Sequence, residues 1–144
     1  MATVEMTFTP LPAHVRTARL VATAVARRSG VPEALLDEVR LAVGEACSRA
    51  VEVHQEHCPA EPVRVALTGA GERFEVVVTN TAAGGDGMAW PPQAATGPDG
   101  EAAAALPAQL GLAVIAGLAD DVQVSRNGDG LSIRMSWPSA APAS

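Results

Sequence analysis

The stretch from residue 32 to residue 57 constrains the fold most, because it has the periodicity of one long amphipathic helix. Pro32 suits the first turn, where its missing N–H needs no partner, and Glu33 and Asp37 place negative charge near the positive end of the helix dipole. Apolar residues recur three or four positions apart and define one face, which consists of Leu36, Val39, Val43, Ala46, Cys47 and Ala50. The pattern predicts a helix over 32–57 with one buried face.

Alternation of apolar and polar residues predicts strands on both sides of this helix. In Thr3–Thr9, for example, Val4, Met6 and Phe8 alternate with polar residues. Further strands are predicted at 63–67, 74–79, 122–125 and 131–137, with a turn at 68–72, and further helices at 13–29 and 110–118. Helices grouped against such strands predict an α+β fold, a two-layer sandwich of helices on a mostly antiparallel mixed sheet.

The segment 81–108 changes character, with five Gly, four Pro and Trp90 as its only aromatic residue. It is longer than the roughly 12–15 residues usual for a loop without secondary structure, and such segments are lids, binding loops or disordered. Trp90 is either a contact for a partner protein or an anchor that holds the loop on the core. We predict one domain over 1–137 that contains this loop, and a disordered tail over 138–144.

Composition excludes several classes of function. The net charge of -6 argues against nucleic acid, whose phosphates require a basic surface. All ten basic residues are Arg, and the absence of Lys excludes a P-loop and Schiff-base chemistry on a lysine. With no apolar run near ~20 residues and no visible signal peptide, we expect a cytoplasmic protein without a membrane partner. Two cysteines are too few for a disulfide framework, which fits a reducing compartment.

Two groups of polar residues on the long helix invite ligand interpretations. Glu45 and Arg49 lie one turn apart, and such a pair either lines a ligand cavity or forms a solvated ion pair, which the spacing alone favours. Residue types that bind zinc are grouped at Cys47, His54, His57 and Cys58. Because four zinc ligands must converge and Cys47 lies on the buried face, a core cysteine and ordinary polar residues at a helix end are the favoured interpretation.

Three stretches carry a resemblance that covers about Thr3–Trp137. They are VRLAVGEACSRAV, VVVTNTAAGGDG and QLGLAVIAGLADDVQV. They resemble the three nucleotide motifs of the GHKL ATP-binding fold, also called the histidine-kinase-like or Bergerat fold. Within that superfamily the chain is most similar to the small serine-kinase anti-sigma factors of bacteria.

In that family, the first motif carries a glutamate that acts as general base and, one turn later, an asparagine that binds Mg²⁺. The resemblance places the general base at Glu45 and the metal position at Arg49. A guanidinium has only donors and cannot coordinate a cation, and it would also pair with Glu45 and lower the basicity of that carboxylate. We therefore predict no metal site.

The second motif of the family offers an aspartate that accepts a hydrogen bond from adenine, followed by two glycines. The matching residues are Asn80, whose amide oxygen still accepts, then Ala82 and Gly84. In the third motif, Gln109 and Gly111 stand where the family has two glycines.

A threonine expected near the phosphates is replaced by Leu131. The resemblance leaves a cofactor-binding set of Arg49, Asn80, Gly84, Gly111 and Leu112. The changed positions predict reduced or lost binding of ATP. Two explanations stay open: the site has drifted, or Arg49 itself pairs with the phosphates.

The resemblance implies a regulator that controls transcription by binding a sigma factor or an anti-anti-sigma protein, an exchange called partner switching. In the family this contact uses the sheet edge and the first helices, so we expect it at His14, Arg16, Arg19 and Trp90. Two alternatives remain: an active ATP-dependent protein serine kinase that phosphorylates an anti-sigma antagonist, and a non-catalytic scaffold that forms homodimers. Because Arg49 replaces the Mg²⁺-binding asparagine, the sequence leaves open whether the chain is an enzyme.

Overall fold

Two long helices pack on a five-stranded sheet in the computed structural model, which describes residues 2–80, 113–127 and 130–139. In chain order the elements are β1 (Ala2–Phe8), α1 (Pro12–Arg28), α2 (Glu33–His57), β2 (Val63–Ala70), β3 (Arg73–Asn80), a short helix α3 described at 113–118, β4 (Asp121–Asn127) and β5 (Gly130–Pro138). This architecture confirms the predicted α+β class. The predicted loop 81–108, with Gly84 and Trp90, and also Gly111 and Leu112, lie outside the described residues.

The strands lie in the order β1-β2-β3-β5-β4, and each of the four pairings is antiparallel. β3 is therefore central, whereas β1 and β4 form the edges. Along β3, burial alternates strictly, with Phe74, Val76, Val78 and Asn80 buried and the residues between them partly exposed. Because successive side chains of a strand point to opposite faces, one face of the sheet is the core and the other faces solvent.

The turn between β2 and β3 is shorter than the predicted 68–72. β2 continues to Ala70 because Thr68 and Gly69 pair with β1 on one side and with β3 on the other. Gly71 has a φ of 62°, the left-handed conformation that glycine adopts without a steric cost. The tight turn thus needs only the two residues between the strands.

The start of α2 and the end of β5 differ slightly from their predicted positions. Pro32 is the residue before α2 and has extended backbone angles, so the helix begins at Glu33. β5 runs through Pro138, and the Ser139 N–H donates to the Glu72 carbonyl at 2.8 Å. Pro138 therefore belongs to the sheet, and Ser139 is hydrogen-bonded to the turn between β2 and β3. Residues 140–144 of the predicted tail lie outside the described part of the chain.

The core lies between α2 and the central strands. The six apolar residues that define the predicted face of α2 are all buried, and the face extends to His54, which is fully buried. The His54 Nδ1–H donates to the Glu61 carbonyl at 2.8 Å, which holds the link between α2 and β2. Neither α1, α2 nor the described part of α3 combines the length and the apolar character that crossing a bilayer requires.

Trp137 on β5 is the largest fully buried side chain of the described residues. Its indole Nε1 donates to the Leu118 carbonyl at 2.9 Å, and its ring lies 6.2 Å from that of Phe74. The hydrogen bond joins the end of α3 to the sheet. One side chain therefore fills the core and also fixes the position of α3.

We expect Trp137→Phe to lower the free energy of unfolding by about 1–3 kcal/mol, because it leaves the Leu118 carbonyl without its donor and leaves a small void. Urea denaturation followed by circular dichroism measures the loss. Val114→Ala is the control, since Val114 is 44% exposed and its truncation should cost less than about 0.5 kcal/mol. Equal losses in the two variants would contradict the role assigned to Trp137.

Candidate functional site

The second half of α2 carries the polar residues that sequence analysis assigned to a nucleotide site. The Arg49 Nη1 lies 2.9 Å from the Glu52 Oε1, so the guanidinium forms an ion pair with the carboxylate one turn later. The side chain of Arg49 is 19% exposed, whereas that of Glu52 is 60% exposed. Glu45, the predicted general base, is partly buried on the same helix. Sequence analysis considered Glu45 as the partner of Arg49 and did not pair Arg49 with Glu52, although the spacing of three residues was a visible signal.

Arg49 does not fit a magnesium ion. Its guanidinium carries a positive charge and only donors, whereas Mg²⁺ requires oxygen ligands. The Glu52 carboxylate, which could otherwise serve as an oxygen ligand, is paired with this guanidinium. Within the described residues, no three His, Cys, Asp or Glu side chains lie close enough to hold a metal ion. We therefore derive no step through a metal at this position.

Asn80, at the end of β3, differs from Arg49 because it is neutral and offers a hydrogen-bond acceptor. The residue is 7% exposed, and its Oδ1 is buried without a hydrogen-bond donor among the residues that the structure describes. A buried acceptor without a donor costs about 1–3 kcal/mol, so such an atom is suited to accept from a ligand N–H. The residue thus fits a purine amino group, as the resemblance implied for this position.

Leu131 lies directly across the sheet from Asn80, in the register of β3 and β5. It is 5% exposed and belongs to the hydrophobic core. A hydroxyl donor toward phosphates, expected at this position from the resemblance, is therefore replaced by an apolar core contact. Of the described residues assigned to the site, Asn80 offers a buried acceptor, whereas Arg49 offers a guanidinium that cannot be a metal ligand.

The four residues of zinc-binding type do not come together in the structure. Cys47 is fully buried in the core, and the Nδ1 of His54 donates to a backbone carbonyl. His57 lies at the exposed end of α2, with its Nε2 3.5 Å from the Glu56 Oε1. Burial raises the pKa of the Cys47 thiol to about 12, and the charge of Arg19 opposes this only in part. Cys47 is therefore a protonated core residue and not a nucleophile.

The predicted partner-binding residues of α1 fall into two environments. His14 is partly buried, its Nδ1–H donates to the Thr9 carbonyl at 3.0 Å, and its ring meets Phe8 edge to face at 6.1 Å. It therefore stabilises the junction of β1 and α1. Arg16 is exposed, and Arg19 is partly buried because its side chain lies across Gly44 of α2.

Arg16 and Arg19 line a groove between α1 and α2 of about 340 Å³, whose other lining residues are Leu20, Arg40 and Leu41. Leu20 is 61% exposed and Leu41 is 50% exposed, which is unusual for large apolar side chains. Sequence analysis did not single out these three residues. The available signal was the presence of leucines outside the apolar face of each helix.

We expect iodoacetamide at about pH 8 to alkylate one cysteine of the native chain, Cys58, because only a thiolate reacts and Cys47 stays protonated. Cys58 is partly exposed, whereas Cys47 is buried. Mass spectrometry of the digested protein identifies the modified residue, and unfolding in urea should make both cysteines reactive. Alkylation of Cys47 in the native protein at the rate of Cys58 would contradict its assignment to the core.

Comparison with known proteins gives one family match and a match among solved structures. A family model described as the histidine kinase-like ATPase domain matches residues 8–137. Among solved structures, the crystal structure of the RsbU and RsbW domains of Rv1364c from Mycobacterium tuberculosis matches with a TM-score of 0.65 at 14% sequence identity. The match covers 98% of this chain and 34% of that chain, so this chain spans about a third of its length. No curated protein matches the sequence.

Proposed function

Since the chain belongs to the histidine kinase-like ATPase family, we propose that it is a regulatory protein of the anti-sigma type. It would control transcription by binding a sigma factor or an anti-anti-sigma protein, with reduced or lost binding of ATP. The fold likeness to a solved chain that contains an RsbW domain supports this choice within the family. The sequence resemblance to serine-kinase anti-sigma factors supports it independently.

The observation that carries the proposal is the ion pair of Arg49 and Glu52, because the resemblance to the family assigns magnesium binding to the position of Arg49. A Mg²⁺ ion bridges and neutralises nucleotide phosphates in phosphoryl transfer. A guanidinium in its place repels the ion. The Nη1 of this guanidinium is already paired with the Glu52 carboxylate. Loss of the metal removes phosphoryl transfer, whereas a surface for protein partners does not depend on it.

An active protein serine kinase is the second candidate, and two observations favour it. Glu45 is retained at the position of the general base, and the Asn80 Oδ1 is available to a purine within the described residues. In a kinase of this kind, Glu45 would accept the proton of the attacking serine hydroxyl. Metal dependence of nucleotide binding separates this candidate from the proposed regulator.

We expect the native protein to bind a fluorescent ATP analogue weakly, with no gain on adding Mg²⁺. Arg49→Asn should gain Mg²⁺-dependent affinity of about ten-fold or more, because the change removes a positive charge and supplies an amide oxygen. Fluorescence polarisation with Mg²⁺ or with a chelator measures both effects. Arg28→Asn, at the exposed end of α1, is the control for the loss of one charge.

Tight Mg²⁺-dependent binding by the native protein would contradict reduced nucleotide binding and favour the kinase. If Arg49→Asn instead weakened binding both with and without Mg²⁺, Arg49 would be the anchor of the phosphates. These results are independent of whether a protein partner binds.

The partner half of the proposal is tested with purified sigma factors and anti-anti-sigma proteins encoded in the same genome. We expect one of them to form a complex with the full chain in the absence of ATP, which size-exclusion chromatography with light scattering detects. If no member of either class binds at micromolar concentrations, the proposed function is wrong. A complex that forms only with Mg²⁺ and ATP would favour the kinase.

A further inference from the structure

Asn80 is the last residue on the buried face of β3 and the only polar one there. The three residues before it on this face are Phe74, Val76 and Val78, and all of them are buried. Leu131 lies directly opposite on β5 and is buried as well. Asn80 therefore places an uncharged polar group at the end of an apolar surface.

The amide of Asn80 is not used by the described part of the fold at its oxygen. The Oδ1 is buried and has no donor among the described residues, and the residue is only 7% exposed. A valine or leucine at position 80 would continue the apolar face without the cost of an unpaired acceptor. An acceptor kept in such a place is suited to a ligand that brings its own donor.

An amide at this position has a different binding chemistry from the aspartate that the resemblance to the family implies. A carboxylate has only acceptors, so it binds the 6-amino group of adenine and repels the oxygen of a 6-oxopurine. An amide has both an acceptor and a donor, and half a turn about its last side-chain bond exchanges them. Because no described residue donates to the Oδ1, no such bond holds the amide in one orientation.

The two orientations of the amide match two classes of purine. Adenine presents a 6-amino donor beside the N1 acceptor, whereas hypoxanthine presents a 6-oxo acceptor beside an N1–H donor. The Asn80 Oδ1 and Nδ2 can pair with the first edge in one orientation and with the second edge in the other. In apolar surroundings a mismatched pair would be costly, so the ability to rotate decides which bases are accepted.

We propose that Asn80 relaxes the choice of base, so that the chain binds nucleotides of 6-oxopurines about as well as those of adenine. The proposal rests on the weakened nucleotide site of the proposed function and names the bases that this site takes. It involves no metal and no phosphoryl transfer, because base recognition requires only hydrogen bonds and apolar contact.

The test compares two nucleotides, ADP and IDP, whose bases differ only at the 6-position and at the N1 proton beside it. The full isotope-labelled chain is titrated without Mg²⁺ to about 5 mM nucleotide, and amide chemical shifts give the dissociation constants even where binding is weak. The constants for ADP and IDP should agree within about three-fold. A preference for ADP of about ten-fold or more would overturn the proposal, as would the absence of binding by both nucleotides.

Asn80→Asp should restore selectivity for adenine. At about pH 8 the carboxylate accepts from the 6-amino group but has no donor for the 6-oxo group, so IDP should bind about ten-fold or more weakly than ADP. Gln123→Glu is the matched control, because it makes the same change from amide to carboxylate at an exposed residue of β4. Equal ratios of the two dissociation constants in Asn80→Asp, Gln123→Glu and the native chain would overturn the proposal.

Asn80→Leu separates a role in ligand binding from a structural role, for example one in holding a buried water. It should raise the melting temperature of the free protein by about 2 °C or more, because it removes an unpaired acceptor, and weaken both nucleotides about ten-fold or more. The variant carries no charge, so it tests the same role if the aspartate variant does not fold. A lower melting temperature with unchanged nucleotide affinities would mean that Asn80 is structural and would overturn the proposal.

The side-chain amide of Asn80 provides a direct readout. Its two Nδ2 proton signals are identified by their absence from the spectrum of Asn80→Asp. Both ADP and IDP should shift them, since the Nδ2 donates to the base in either orientation. Nucleotide binding that shifts other signals and leaves these two in place would show that the base lies elsewhere and would overturn the proposal.

These results are distinguishable from a failure of the proposed function. If a sigma factor or an anti-anti-sigma protein binds the chain while neither nucleotide does, the relaxed choice of base is wrong and the regulatory function stands. If ADP and IDP bind equally and no such protein binds, the relaxed choice of base stands and the proposed function fails.

Discussion

The packing of the apolar face of α2 against the central strands is the constraint on which the other features depend. Because that face is buried from Leu36 to His54, the rotation of the helix about its axis is fixed. A fixed rotation sets the directions of the remaining side chains. Arg49 and Glu52 therefore share one side of the helix, and Leu41 and Gly44 meet α1. Both the candidate nucleotide site and the groove are consequences of one buried stripe.

The electrostatics of the candidate site follow from partial burial. A guanidinium that is only 19% exposed needs a counter-ion, because removing a charge from water is costly unless the charge is paired. Glu52 supplies that counter-ion and remains largely in solvent, so the helix accommodates an arginine at position 49. Asn80 is neutral and keeps a buried acceptor. Arg49 and Asn80 thus differ in charge and in hydrogen bonding.

The helical layer carries two distinct polar surfaces, namely the second half of α2 with Arg49 and Glu52, and the groove between α1 and α2. Phosphoryl transfer needs several groups placed together around a metal, and a guanidinium such as that of Arg49 cannot be one of the metal ligands. The groove of α1 and α2 combines two exposed leucines with three arginines.

The sequence by itself determined the class of fold, the order of elements and the buried face of α2. These properties follow from periodicity, since a spacing near 3.6 or of two residues reports which side of a helix or strand is apolar. The assignment of Arg49 to the first motif came from the resemblance to the family, since the spacing from Glu45 alone indicated only an ion pair on a helix. Only the tertiary structure decided that Glu52 pairs with Arg49, that the Asn80 acceptor is buried, and that Arg19 lies across Gly44. Such facts depend on rotamers and on the approach of segments distant in the chain, which spacing along one helix does not encode.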